Sequence, residues 1–238
     1  MTRNKLMKVQ SAKSHNKNAA ITGVFFIIAT VAAIIGGTLY DPLLNHSDYL
    51  VSGAKHSTQI VLGAIFELLL TCSAAGTAIM LFPYLKQFNE NLGLGYVCFR
   101  MLEVIFILIG IISILSLLSL SNQYVSQIGQ NVTPPLTIAE LLKSIHGWSF
   151  ILGPHFMLGI NTFIYSFVFY QSKLVPRKIS IIGIMGAVLI FIVSQLEMFG
   201  VISQFSVQTV IMALPIAIYE MVLAIWLIIK GFNVQAPN

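Results

Sequence analysis

From Ala19 to Tyr40 the chain runs for 22 residues without one Asp, Glu, Lys or Arg. Coiled as a helix at ~1.5 Å per residue, that run is about 33 Å long. It crosses a hydrocarbon layer ~30 Å thick. Backbone groups in lipid must bond within their own segment, so a run of this length reads as a transmembrane helix. The rest of the chain repeats the pattern. Hydrophobic residues make up 57% of the 238 positions, charged residues only 9%, and mean hydropathy is +0.87. A soluble domain carries about 25% charged residues, so this chain lacks the charge to cover a water-facing surface.

The apolar runs place six spans near residues 19–40, 58–82, 92–120, 147–170, 179–199 and 207–229. They are too long for the ~10-residue alternating strands of a membrane barrel. The expected fold is therefore all-α, a polytopic bundle of six transmembrane helices over residues 19–232. A basic tail precedes it (1–18) and a short tail follows (233–238). Arg3, Lys5, Lys8, Lys13 and Lys17 fill the first tail without an acid. The apolar run behind them exceeds the ~7–15 residues of a signal-peptide core, so the tail reads as retained.

Lysines and arginines orient such a bundle. With the N-terminus inside, the inner side holds the five tail charges, Lys86, Lys173, Arg177, Lys178 and Lys230, against Lys55 and Lys143 outside. Both termini are expected to be cytoplasmic. The net charge of +5 sits mainly in the tail. It suits anionic membrane lipid, and no basic domain with interleaved aromatics is there to bind nucleic acid.

The longer connections lie outside, at 41–57 and 121–146. In the second, Pro134-Pro135 precedes Thr137-Ile138-Ala139-Glu140, the T-x-x-E pattern of a capping box opening a short helix toward His146. His46, Asp48 and His56 on the first lack the spacing of a metal site, and no cofactor is expected. Ala29, Ala33 and Gly37 recur at four-residue steps and read as a helix-packing face. Cys72 and Cys98 sit in apolar runs, as small core residues would.

Every span but the first carries an ionisable group: Glu67, Arg100 with Glu103, His155, Glu197 and Glu220. Each costs ~2.5–3.5 kcal/mol to insert in lipid, so they should face the bundle interior. Measured from the span midpoints at ~1.5 Å per residue, Glu67, Glu103, His155 and Glu220 lie within about 5 Å of the membrane middle. Arg100 lies about 9 Å toward the cytoplasm, where its guanidinium could instead snorkel to the headgroups or pair with Glu103 at i+3. Glu197 falls near the outer end of its span, within reach of water. Pro154, next to His155, and Pro215, five residues before Glu220, each free a backbone carbonyl. Interrupted helices beside intramembrane charge point to binding sites in transporters.

The candidate binding set is therefore Glu67, Arg100, Glu103, His155 and Glu220. One Arg–Glu pair in it leaves two carboxyls over. A buried carboxyl that gains and loses a proton is the chemistry of proton coupling or of holding a cation. The expected activity is binding or translocation of a small solute or ion. The alternative is a non-catalytic sensor, lipid- or peptide-binding or assembly protein whose Arg/Glu network is purely structural. The chain carries no HExxH, GxSxG or phosphate loop, the motifs that would mark an enzyme.

Four stretches, "GAIFELLL", "FPYLKQFNENLGLGYVCFRMLEVIF", "SKLVPRKISIIGIMGA" and "LPIAIYEMVLAIWLIIKGF", together resemble the family catalogued as domain of unknown function 4386. The resemblance spans nearly all of the chain after residue 19. It implies a six-span protein of the bacterial cytoplasmic membrane. It also implies that Glu67, Asn89, Arg100, Glu103, Pro154, Pro176, Arg177, Pro215 and Glu220 stand at the family's signature positions. His155 and the basic tail fall outside that pattern, and the family brings no activity with it.

Overall fold

The computed structural model describes residues 2–127, 133–204 and 206–233, with side chains from residue 16 onward. Residues 128–132 of the second long connection and 234–238 of the final tail lie outside the described residues. Helix α1 spans Thr2–Leu39, so the basic tail continues the helix of the first span. Short helices α2 (Asp41–Leu44) and α3 (Tyr49–Lys55) follow, then α4 (Ser57–Phe88) and α5 (Glu90–Ser126). The fourth span is one 37-residue helix built of α6 (Leu136–Phe150), a π-helical segment (Ile151–Met157) and α7 (Leu158–Ser172). Helices α8 (Arg177–Met198) and α9 (Val207–Ile229) complete the chain.

Six of these helices are long and apolar enough to cross a membrane, and the chain is an all-α, multi-pass membrane protein. Their outward sides stay apolar: Ile65, Ile79, Ile112 and Met185 are each more than half exposed. A water-soluble bundle would present charge at such positions.

The spans close into a ring. α1 packs between α4 and α9, α5 joins α4 to the fourth span, and α8 joins that span to α9. Gly231, just past α9, lies against Asn16 at the foot of the first span. Both ends of the bundle's chain therefore lie on one face, together with Lys17, Lys86, Lys173, Arg177, Lys178 and Lys230. We call this the basic face, and the opposite one, which carries α2 and α3, the loop face.

Several expectations need correcting. Span two does not stop at residue 82: α4 runs through Pro83 to Phe88, and Asn89 alone separates it from α5. Leu81, Tyr84 and Leu85, all buried, hold that last stretch in place. Asn89 makes the joint by accepting a hydrogen bond from the Leu92 amide at 3.0 Å, a helix N-cap. The capping box does not form either. Pro135 is the N-cap of α6, and Glu140 instead accepts the Tyr49 hydroxyl at 2.7 Å. Burial and that carboxylate push the Tyr49 phenol up to about 12. Cys72 and Cys98 are exposed on the outer surface of the ring rather than buried. Ala33 and Gly37 do not pack on a neighbour: a Cβ on Gly37 would meet nothing within 4 Å. The close packing of α1 runs through Gly23 and Gly36, where a Cβ would stand 2.5 Å from the Ala224 carbonyl oxygen and 2.8 Å from Glu67 Cγ.

Two clusters of fully buried side chains fill the bundle near its faces. Toward the basic face lie Phe26, Tyr96, Tyr165, Phe169, Tyr219 and Leu223. Toward the loop face lie Tyr40, Leu43, Ile60, Ile114 and Leu117. Such clusters in lipid hold by van der Waals fit, since the surrounding tails are as apolar as they are. Between them two smaller clusters, Ala64 with Ile107 and Ile111, and Ile190 with Val193 and Ile216, leave part of the ring's interior open.

Candidate functional site

The space between the two clusters is a cavity of about 340 Å³. All five candidate residues, Glu67, Arg100, Glu103, His155 and Glu220, line it. The rest of the wall is mainly aliphatic, from Ala29 and Ile34 on α1 to Ile216 and Ala217 on α9.

Arg100 and Glu103 sit one turn apart on α5 and point the same way. Arg100 Nη1 donates to Glu103 Oε2 at 2.9 Å and to Oε1 at 3.2 Å. Its Nε reaches the Ala74 carbonyl at 3.5 Å. Arg100 is 2% exposed, so it does not snorkel; the ion pair holds it inside the ring. Asn161 of α7 completes the group by donating to Glu103 Oε2 at 2.6 Å, and it is fully buried. Nothing in the charge pattern marks Asn161. Its only signal is an amide inside the apolar run "FMLGINTFIY".

Glu67 is held from the joint between α1 and α2. The Tyr40 hydroxyl donates to its Oε2 at 3.0 Å. The Tyr40 ring meets His146 edge-on at 5.8 Å between centroids. Glu220 has the lightest contacts of the set: Thr30 Oγ1 donates to it at 3.4 Å, a long bond. It keeps some accessible surface, which lies on the cavity it lines.

His155 occupies the π segment. Pro154 has no amide hydrogen to give an α-helical bond, and the wider π turn absorbs that gap. Gly153 lets the turn lie on α5: a Cβ there would stand 2.9 Å from Phe106 Cβ and 3.2 Å from the Glu103 carbonyl oxygen. His155 Nδ1 is 2.6 Å from Glu197 Oε2. Glu197 does not reach water as expected; it is 6% exposed. The turn from α8 into α9 brings Thr209 over it, whose hydroxyl donates to Oε1 at 3.4 Å. The Glu197 carboxyl at Nδ1 fixes the orientation of the ring and turns Nε2 away from it.

On the loop face, His46 Nε2 lies 3.3 Å from Asp41, and His56 Nδ1 lies 2.9 Å from the Ser52 carbonyl of its own turn. Neither histidine groups with Asp48.

No curated protein and no solved structure matches the chain. The model of one family, described as Domain of unknown function (DUF4386), matches residues 21–231. That stretch takes in five spans whole, the first but for its opening residues, and every residue on the cavity wall, and the chain belongs to this family.

Proposed function

We propose that the protein binds a small solute or ion in the central cavity and carries it across the membrane, coupled to protons held by the cavity carboxyls. One observation carries this reading: ionisable side chains from four separate spans face one unfilled space midway between two packed clusters. Burying these groups is costly, and bundle cohesion alone does not need a cavity beside them. The Arg100–Glu103 pair is closed on itself. Glu67 and Glu220, with one hydroxyl donor each, are the groups that exchange a proton or hold a cation. The two clusters serve as gates, each yielding in turn.

We place the protein in a bacterial cytoplasmic membrane with both termini in the cytoplasm. The support is the excess of lysine and arginine on the basic face and the resemblance of the motifs. No cofactor, nucleic acid or catalysis enters the reading.

Proteoliposomes holding a pH-sensitive dye test it. A panel of inorganic cations and organic amines is added across an imposed pH gradient. At least one should drive proton movement that Glu67→Gln and Glu220→Gln abolish. Flux unchanged in both variants sinks the proposal.

A second reading, a purely structural network, is favoured by how fully Asn161 and Arg100 satisfy Glu103. It predicts that variants at Glu220 and Glu67 alter the amount of folded protein and no flux.

A further inference from the structure

The cavity has a mouth, and the mouth faces lipid. Among all the lining residues only Ala33, Ile34 and Gly37 are exposed. Ile34 is 63% exposed. A side chain that both lines the cavity and lies on the outer surface stands at an opening. On one side of these residues α1 is sealed to α4, with Gly36 on Glu67 and Gly63 on Tyr40. The opening is therefore on the other side, toward α9, where Ala213 and Ala217 line the cavity. The two helices touch nearer the basic face, where Gly23 meets Ala224. Further along, Thr30 meets Glu220, and beyond that pair Ala33 and Gly37 of α1 and Ala213 and Ala217 of α9 line the cavity.

Packed clusters bound the cavity toward both faces. Tyr40 and Leu43 cap the loop side, and Tyr96, Tyr165 and Tyr219 floor the basic side, all fully buried. The tyrosine rings lie 5.5 to 6.0 Å apart between centroids. The gap between α1 and α9 is framed by Ala33, Gly37, Ala213 and Ala217, small residues that leave it open at hydrocarbon depth.

The polar end of the cavity limits what can enter. The Arg100 guanidinium is engaged by Glu103 and by the Ala74 carbonyl. His155 is held by Glu197. Among the described residues no uncommitted cation faces the space, while Glu220 has one long hydrogen bond and open acceptor positions. The site fits an N–H donor carrying positive charge. The aliphatic remainder of the wall solvates a hydrocarbon body and not an ion's water shell, and the volume falls in the ~300–1,000 Å³ range of ligand pockets.

Resting on the binding reading above, we propose that the ligand is an amphiphilic amine, an alkyl or aryl body with a protonated nitrogen, entering from the bilayer between α1 and α9. The nitrogen is received by Glu220 and the body lies along α1 and α9.

The test uses the full chain in phosphatidylcholine nanodiscs and an octylamine bearing a diazirine. After photolysis, labelled peptides should come from the segments around 29–37 and 213–217. Dodecylamine should compete; ethylamine and dodecanol should not. Glu220→Gln should reduce saturable labelling by roughly tenfold or more, the loss of a charge-assisted hydrogen bond. Gly37→Phe, placed where a Cβ meets open space, should block labelling at an unchanged melting temperature; Ala33→Phe is the second such plug. Labelling that ethylamine competes equally and both plugs leave intact means entry from water. That overturns this inference and leaves the proton-coupled reading standing. Absence of saturable labelling overturns it too, and the flux assay with its cation panel then judges the broader reading alone.

Discussion

Arg100 and Glu103 show how little a buried ion pair says about stability taken alone. Removing two charges from water costs several kcal/mol each, and the pair is net favourable only with its remaining hydrogen bonds made. Here Asn161 and the Ala74 carbonyl make them. Arg100→Ala leaves Glu103 charged or proton-bound without its partner, and the loss should be about 3–5 kcal/mol. The double variant Arg100→Leu, Glu103→Leu should recover much of that. Thermal unfolding in detergent measures both; an Arg100→Ala protein that melts with the parent would contradict the described pairing. The pair itself was legible in the sequence, because i and i+3 share a helix face. Glu197 was not. Depth along its own span put it near water, and depth cannot register that the α8–α9 turn lays Thr209 over it. Asn161 was missed for another reason: a neutral amide costs less in lipid than a charge, so it stands out less.

At the scale of elements, the apolar runs point to six spans, and six helices are long and apolar enough to cross a membrane, since the membrane imposes a minimum length on each. Their ends were read less well. Pro83 and the stretch "YLKQF" look like a loop, yet buried Leu81, Tyr84 and Leu85 carry the helix through to Asn89. The small residues of α1 illustrate the same limit. Steps of four residues predict a packing face, but two such faces exist on α1. Gly23 and Gly36 pack, whereas Ala33 and Gly37 border empty space. Only a neighbour's position tells them apart. The distinction is testable. Gly23→Leu drives a side chain into the Ala224 carbonyl and should cost about 1–3 kcal/mol through overpacking. Melting temperatures of Gly23→Leu and Gly37→Leu should therefore diverge, with Gly37→Leu near the parent. Equal losses would mean that the outer half of α1 packs as tightly as the inner.

For the whole molecule, the ring and its cavity were only partly legible. The depth estimate gathered Glu67, Glu103, His155 and Glu220 into one layer without saying whether they face one space. Which helix neighbours which is set by tertiary contact, and the pattern of charges in a line of sequence does not encode it. The orientation proposed above rests on the lysine and arginine bias, and it predicts a labelling pattern. In a background with Cys72 and Cys98 replaced by serine, Lys55→Cys should react with an impermeant maleimide on intact cells. Lys173→Cys should react only after the cells are permeabilised. The reverse pattern would invert the bundle.

The π segment at Ile151–Met157 also acts as a phase adjuster. Successive residues of a helix are offset by about 100° around the axis, and a wider turn resets that count for everything before it. With a plain α-helical turn in its place, α6 would be rotated relative to α7 as one rigid piece. His146, whose Nδ1 lies 3.4 Å from the Gly110 carbonyl, and Ser149, whose Oγ packs on the same glycine, would then swing off α5, while Asn161 stayed on Glu103. One widened turn thus lets a single continuous helix meet two neighbours in two different registers.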